Sequence, residues 1–275
     1  MIELPEARRM ADQFLKTLIG KRVARVIPNA SPHKFAWFHG DVSDYNILLS
    51  GRAVTGADAF GGIAEAQFGD MKLVFCDGAN VRYYAAGEKL PAKYQLLLIF
   101  DDDSALVCSV QMYGAIWALD ARGEEDYYQS SKQKIKPLDE AFDEEYFDRL
   151  RQSVKPALSV KAFLATEQRI PGLGNGVLQD ILYNAGIHPR RKLHSLSDTQ
   201  YEALHRGIVS TLRTMTEQGG RNTERDLFGK PGGYQTALCA KTLEYPCPRC
   251  GGGLVREAYL GGNIYFCPNC QPLER

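Results

Sequence analysis

The chain has 275 residues, of which 44% are hydrophobic and 24% are charged, and its 33 basic side chains balance its 33 acidic ones. This length is sufficient for one large domain or for two to three smaller domains, each with its own core. No stretch approaches the roughly 18 consecutive apolar residues that a membrane helix needs, and no basic segment followed by an apolar one begins the chain. The composition therefore excludes a membrane-spanning protein and predicts a soluble, cytoplasmic one.

The charges are distributed unevenly. Residues 1–150 carry 17 basic and 23 acidic side chains, whereas residues 151–275 carry 16 basic and 10 acidic ones. A nucleic-acid backbone responds to a local basic patch more than to the net charge of the whole chain. The balanced total therefore leaves a nucleic-acid partner open for the C-terminal part.

The first predicted element is a helix from Pro5 to about Leu18. Its apolar residues recur at helical spacing, and a proline suits the first turn of a helix. Two acids, Glu3 and Glu6, lie at its start. Acidic side chains there stabilise a helix through its dipole by about 0.3–1 kcal/mol, which gives both residues a purely structural interpretation.

Residues 20–120 contain short strand-like runs separated by Gly and Asp turns such as "CDGAN" and "DDDS". The runs are RVARVI, AWFHG, NILLSG, MKLVFCDG, NVRYYAA, YQLLLIF, ALVCSV and AIWAL. Many short strands with no helix between them predict an antiparallel β-sandwich. The acidic stretch "GEEDYYQSSKQKIKPLDEAFDEEYFDRL" that follows is predicted to be a linker that runs into a helix.

From about Glu144 the pattern becomes helical. "SVKAFLATEQ" and "GVLQDILYNAG" predict two helices. Ser197 and Gln200 form a capping-box pattern at the start of a third helix, "YEALHRGIVSTLRTMTEQGG", which ends on paired glycines.

The loop "IPGLGNG" joins the first two of these helices. Gly172 and Gly174 are able to adopt positive φ and to expose backbone N–H groups at a helix start, and Asn175 adds a side-chain donor. This geometry binds phosphate, although a short Gly-rich loop is more often only a connection and Asn175 can be a local cap. The basic residues near the loop favour phosphate; they are Lys155, Lys161, Arg169, Arg190, Arg191 and Lys192.

Four of the seven cysteines form two C-x2-C pairs near the C-terminus: Cys247, Cys250, Cys267 and Cys270. Sixteen residues that can form a β-hairpin separate the pairs. Four thiolates close a tetrahedron around one zinc ion and leave no open position, so the spacing predicts one structural zinc. The metal replaces a core that about 30 residues cannot build unaided. The other three cysteines are interpreted as buried thiols.

Several segments together resemble the formamidopyrimidine-DNA glycosylase and endonuclease VIII family. "PGLGNGVLQDILYNAGIHPRRKLHSLS" is similar to its helix–two-turn–helix segment, "EQGGRNTERDLFGKPGGY" to the segment that follows, the cysteine module to its zinc finger, and "ELPE" to its N-terminal signature. The resemblance implies an α+β multidomain fold. Its parts are an N-terminal helix with an antiparallel β-sandwich (1–140), a helix–two-turn–helix domain (141–235) and a β-hairpin zinc finger (236–275). It also implies a nucleoid-associated monomer that binds duplex DNA, damaged or distorted.

Members of that family remove oxidised bases from DNA. They flip the damaged nucleotide out, attack C1′ with the amine of an N-terminal proline, and cut the strand through the resulting imine. The resemblance implies catalytic carboxylates at Glu3 and Glu6 and an aromatic wedge at Tyr113, which is equally well explained as a core aromatic next to Trp117. The other implied nucleic-acid-binding positions are Gln111, Lys161, Gly172, Gly174, Asn175, Arg190 and Lys230.

Three positions depart from the family pattern. Ile2 stands where the nucleophilic proline is expected, and because an initiator Met is trimmed only before small residues, Ile2 is predicted to keep only an amide nitrogen. A glycine, Gly61 or a neighbour, stands where the sandwich lysine is expected. Gly262 stands where the zinc-finger arginine is expected.

These departures favour a damaged-DNA-binding protein whose imine-dependent strand cleavage is lost. One alternative is an active base-excision glycosylase that uses Glu3 and water or a variant N-terminus. A second alternative is a protein that binds RNA or the ribosome, since a phosphate clamp does not by itself specify deoxyribose.

Overall fold

A computed structural model describes residues 1–123 and 125–273. The chain divides into two compact units. Unit 1 comprises residues 1–133 and 219–233, and unit 2 comprises residues 134–218 and 234–275. The boundaries of the three predicted domains stay a prediction.

Unit 1 contains most of the strands. Its elements are α1 (Leu4–Thr17), β1 (Val23–Pro28), β2 (Ala36–Phe38), α2 (Tyr45–Leu49), β3 (Gly56–Phe60), β4 (Ile63–Phe68), β5 (Met71–Tyr84), β6 (Leu96–Phe100), β7 (Ala105–Leu119) and α3 (Asp126–Gln133). The strands form one sheet in the order β1-β6-β7-β5-β4-β3, and all of these pairs are antiparallel. The long strands β5 and β7 lie next to each other at the centre of the sheet and join its two halves, β1-β6 and β4-β3.

The two halves of the sheet bury their side chains in one core. Leu73 from β5 and Leu98 from β6 belong to the same buried cluster as Phe14 of α1. The rings of Phe14 and Phe75 lie 6.0 Å apart. Helix α1 thus begins and packs as its periodicity predicts, and the predicted α+β fold with a β-sandwich is confirmed.

Three local predictions in this region are wrong. The run "NILLSG" forms helix α2 instead of a strand, because Tyr45 and Leu49 on one helical face enter the core while Ile47 stays 80% exposed. The "CDGAN" turn is a bulge inside β5, where the pairing with β7 shifts between Asp77 and Ala79. Strand β2 pairs with β7 in parallel, not antiparallel.

The predicted linker after residue 122 begins with a helix, α3, which packs on the sheet. Tyr128 of α3 is buried, and its hydroxyl donates to the buried Glu65 carboxylate at 2.7 Å. Glu124, in the same predicted linker, lies outside the described residues.

Unit 2 is helical with a C-terminal hairpin. Its elements are α4 (Glu144–Gln152), α5 (Val160–Ala165), α6 (Asn175–Ala185), α7 (Asp198–Glu217), β8 (Val255–Tyr259) and β9 (Gly262–Phe266). Ser197 and Gln200 form the predicted capping box of α7. Helix α6 ends at Gly186, whose φ of 69° is the left-handed conformation that a glycine C-cap adopts readily. Among the described residues, no helix combines the length and apolarity that crossing a bilayer requires.

Candidate functional site

The four predicted zinc ligands meet in unit 2. The Sγ atoms of Cys247, Cys250, Cys267 and Cys270 all lie within 4.8 Å of one another. The antiparallel hairpin β8–β9 spans the two pairs, and the backbone N–H of Cys247 donates to the Gly252 carbonyl at 2.7 Å. Four thiolates in this arrangement fit the tetrahedral coordination of zinc and leave no position for a substrate. The prediction of one structural zinc is confirmed.

Unit 1 contains a cavity of about 290 Å³ beside the N-terminus. Its walls come from residues 1–10 of the first segment, the bulge of β5, residues 111–113 of β7 and the loop 219–232. The wall includes four arginines and three acids: Arg9, Arg82, Arg221, Arg225, Glu6, Glu224 and Asp226. The cavity is therefore polar and charged on the side of the N-terminus.

Met1 lines this cavity. Its α-amino group forms an ion pair with Glu224 Oε2 at 2.5 Å. The hydroxyl of Tyr113 donates to the Met1 sulfur at 3.6 Å. The next residue, Ile2, is only 6% exposed and packs in the core, while its backbone N–H donates to the Asp77 carbonyl at 2.5 Å. The nitrogen of Ile2 is thus an amide that takes part in the sheet.

Arg221 lies buried between the two acids of the N-terminal signature. Its Nη1 atom lies 3.4 Å from Glu3 Oε2, and its Nε and Nη2 atoms donate to Glu6 at 3.0 and 2.8 Å. Glu3 also forms the N-cap of α1 in a capping box with Glu6. Although burial alone would lower the pKa of Arg221, the charges of Glu3 and Glu6 raise it above its usual value. Both signature carboxylates therefore hold a buried cation.

Sequence reasoning did not identify Arg221 as part of the site. The residue stands in "GGRNTER", more than 200 positions from the acids that it contacts. A paired Arg and acid at that separation leave no periodic signal in the chain. The sequence offers one signal near Arg221, the glycine pair Gly219 and Gly220. Both glycines are left-handed, with φ of 74° and 95°, and they turn the loop sharply.

Asp77 combines two unfavourable features next to the N-terminus. Its φ of 57° lies in the left-handed region, which a non-glycine residue adopts rarely. Burial raises the pKa of its carboxyl above the usual value. A strained residue with a partly desolvated carboxyl beside a cavity is typical of a functional site.

We expect D77N to be more stable than the wild type at neutral pH and equally stable in acid. Because the native pKa is raised, the wild type loses stability as the pH rises from the unfolded value of about 3.9 through the native value. Asparagine tolerates the same backbone conformation and carries no charge. Urea unfolding at a series of pH values from below the unfolded pKa of about 3.9 up to neutral pH measures the difference.

Asp103 provides the matched control for this prediction, since its φ is 62° but its side chain is exposed. D103N is expected to follow the wild-type pH profile. An equal gain for both variants, or a D77N gain that persists at the acid end, would contradict the assigned cause.

The predicted base-contacting residues lie at the cavity edge. Gln111 is exposed and Tyr113 is partly exposed, and both line the cavity. The Tyr113 ring lies 5.9 Å from that of Trp37. Lys230 is exposed in the loop 219–233, and its backbone N–H donates to Asp226 Oδ1 at 2.9 Å.

In unit 2, two predicted phosphate-contacting residues, Asn175 and Lys161, lie at the hairpin beside Gly262. Asn175 begins α6, and its Nδ2 donates to the Asn263 carbonyl at 3.0 Å. Lys161 is only 3% exposed, and its Nζ donates to the Tyr259 carbonyl at 2.5 Å. A Cβ at Gly262 would lie 3.6 Å from Asn175 Nδ2 and 3.7 Å from Lys161 Nζ. Burial lowers the pKa of Lys161. The roles of these residues stay predictions.

The remaining predicted positions differ from one another. Gly172 adopts a positive φ of 78°, whereas Gly174 is extended with φ −106° and serves as the N-cap of α6. Arg190 pairs with Glu257 at 3.1 Å and lies over the Tyr259 ring. Gly61 lies in the tight turn between β3 and β4 with φ 58°. This left-handed backbone conformation explains why a glycine occupies the position.

The fold and the cysteine cluster define the class of this protein: an α+β protein with an N-terminal β-sandwich, a helical segment and a zinc-binding hairpin. Residues 134–226 match the family model "Formamidopyrimidine-DNA glycosylase H2TH domain". A formamidopyrimidine-DNA glycosylase of Cytobacillus firmus is 28% identical over 98% of this chain and 100% of its own length. Another formamidopyrimidine-DNA glycosylase, of a Roseiflexus species, is 29% identical over 98% of this chain and 100% of its own length.

Solved structures show the same fold. Lactococcus lactis Fpg (MutM), in a complex with DNA that contains N7-benzyl-Fapy-dG, superposes with a TM-score of 0.84 at 23% identity, over 98% of this chain and 99% of that one. MutM (Fpg) of Thermus thermophilus superposes with a TM-score of 0.81 at 23% identity, over 99% of this chain and 100% of that one. The chain is thus similar, along nearly its whole length, to proteins of the formamidopyrimidine-DNA glycosylase / endonuclease VIII family, and it shares their fold.

Proposed function

We propose that this protein binds duplex DNA at damaged or distorted sites and does not carry out the proline-dependent imine reaction. The relatives that match along their whole length bear the name of a DNA glycosylase, and the L. lactis structure is a complex with DNA that contains N7-benzyl-Fapy-dG. Their shared fold supports DNA as the partner here. A nucleoid-associated, cytoplasmic location and a monomeric state are part of the same proposal.

The observation that carries the proposal is the state of the N-terminal signature. The nitrogen at position 2 belongs to an amide that donates to the Asp77 carbonyl, so it has no lone pair to attack a sugar carbon. Glu3 and Glu6 hold Arg221, which is 3% exposed. A carboxylate held by a buried guanidinium is poorly suited to take a proton from water, which also argues against a reaction of Glu3 with water.

Borohydride trapping tests this proposal directly. The protein is incubated with an undamaged duplex, with duplexes that contain an abasic site, 8-oxoguanine or an oxidised pyrimidine, and with single-stranded RNA. A formamidopyrimidine-DNA glycosylase is treated in parallel. We expect retention of damaged duplexes above undamaged DNA, no covalent complex and no strand cleavage. Equal retention of damaged and undamaged duplexes would refute lesion recognition, and preferential retention of single-stranded RNA would favour the RNA alternative.

A second candidate function rests on the Met1 amine, which is paired with Glu224; both residues line the cavity. With Glu224 accepting its proton, the amine nitrogen can attack the aldehyde carbon of a ring-opened abasic sugar. Loss of water then gives an imine, which borohydride reduces to a stable amine.

Trapping distinguishes the two candidates. A covalent complex whose peptide map places the DNA on Met1, and which is lost in E224Q, would support the second candidate and overturn the first. Absence of any covalent complex from an abasic duplex that the protein retains would eliminate the second.

A further inference from the structure

Unit 1 carries a strip of exposed aromatic and apolar side chains beside the cavity. We define this aromatic strip as Phe35, Trp37, Met112 and Tyr113. Phe35 is 45% exposed, Trp37 is 48% exposed and Met112 is 68% exposed. The rings of Trp37 and Tyr113 lie 5.9 Å apart with an angle of 35° between their planes. Large aromatic side chains grouped in this way at the surface indicate a binding role more than a packing role.

The backbone fixes the position of the strip. Strand β2 pairs with β7 in parallel, with Trp37 opposite Ala115, and the N–H of Gly114 donates to the Phe35 carbonyl at 3.0 Å. Ala36 and Phe38, on either side of Trp37, pack against the core. Because side chains alternate along a strand, Trp37 is held on the outer face. Its ring is therefore presented by a strand within the sheet.

The strip has the chemistry of a stacking platform. The ammonium of Lys34 lies 5.2 Å from the centre of the Phe35 ring, so a cation accompanies the aromatic faces. Aromatic faces interleaved with cations bind unpaired nucleobases, since every base has a π-face and every nucleotide carries a phosphate. Met112 and Tyr113 also line the cavity, so the strip continues directly from its wall.

We infer that the aromatic strip stacks an unpaired nucleobase of distorted DNA, with Trp37 as its principal contact. This inference rests on the proposed DNA-binding function and adds the feature that is recognised: a base without a partner, next to a lesion or in a bulge. Trp37 stacks on the base, and Lys34 lies close to the flanking phosphate.

Trp37 variants test the inference. The probes are a fully paired duplex, the same duplex with a one-nucleotide bulge, and the same duplex with an abasic analogue opposite an unpaired base. For W37A and W37L we expect binding of the bulged and abasic duplexes to weaken by about 10-fold, as for the loss of one stacked base. Binding of the paired duplex should change less than about 2-fold, since no base is unpaired there. W37F keeps an aromatic face and should bind within about 3-fold of the wild type.

I47A is the matched control, because Ile47 is an exposed apolar residue of the same unit, 80% exposed on α2. It should bind all three probes like the wild type. If W37L binds the bulged duplex as tightly as the wild type, or weakens the paired duplex equally, the inference is overturned. Circular dichroism of each variant confirms that the fold is retained.

Intrinsic fluorescence gives a second readout. The chain has two tryptophans, and Trp117 is only 7% exposed, so a stacked base should quench chiefly the emission of Trp37. We expect quenching by the bulged duplex in the wild type but not in W37F. A wild-type protein that binds no duplex refutes the proposed function; one that binds the bulged duplex without quenching refutes only the role of the aromatic strip.

Discussion

Replacing Arg221 with methionine is expected to lower the free energy of unfolding by about 3–5 kcal/mol, because it leaves the carboxylates of Glu3 and Glu6 buried without their cation. Arg221 is 3% exposed, Glu3 is 3% exposed and Glu6 is 9% exposed, so water cannot replace the lost partner without local opening. Urea unfolding at neutral pH measures the loss.

Two further variants separate the ion pair from a general effect of the substitution. R225M removes an exposed arginine of the same loop and should change the free energy of unfolding by no more than about 0.5 kcal/mol. The triple variant E3Q/E6Q/R221M removes all three charges and should recover most of the loss, since a buried ion cluster is often close to neutral against an uncharged replacement. A loss below about 1 kcal/mol for R221M would contradict the buried-cluster interpretation.

The Arg221 prediction has a functional counterpart. If Glu3 and Glu6 serve the buried cation, E6Q should lower stability while leaving the retention of damaged duplexes by the folded protein unchanged. A loss of DNA retention without a loss of stability would instead indicate that the carboxylates act directly at the DNA.

Replacing Cys267 with serine is expected to abolish zinc binding and to unfold the C-terminal hairpin. Zinc contributes roughly 10–16 kcal/mol of apparent binding free energy in small zinc-finger peptides, which is more than a hairpin of this size obtains from packing. Cys267 is buried, and its Sγ lies 3.5 Å from that of Cys250, so a serine there opens the cluster. Metal analysis should give one zinc per wild-type chain and none for C267S. Limited proteolysis should cut the variant within residues 251–266.

C239S is the matched control, because Cys239 belongs to the same unit but lies outside the cluster. It should retain one zinc and the wild-type proteolysis pattern. Zinc retained by C267S, or lost equally by both variants, would contradict a four-cysteine site.

The elements that the sequence predicted well are those with a local cause. The helix α1 has its own periodicity and proline, α7 has its own capping box, and the two C-x2-C pairs specify a metal by spacing alone. The errors arose where tertiary contacts override local pattern. "NILL" is apolar enough for a strand, but only a helix places Tyr45 and Leu49 together in the core.

The sequence by itself determined the helix starts, the zinc ligands, the family resemblance and the isoleucine in place of the nucleophilic proline. Only the tertiary structure decided what the N-terminal acids contact and what surrounds the cavity. Arg221 contacts Glu3 and Glu6, from which more than 200 positions of the chain separate it. Trp37 lies next to Tyr113, which is more than 70 positions away in the chain. Such pairs depend on packing and on the cost of burying charge, neither of which has a period along the chain.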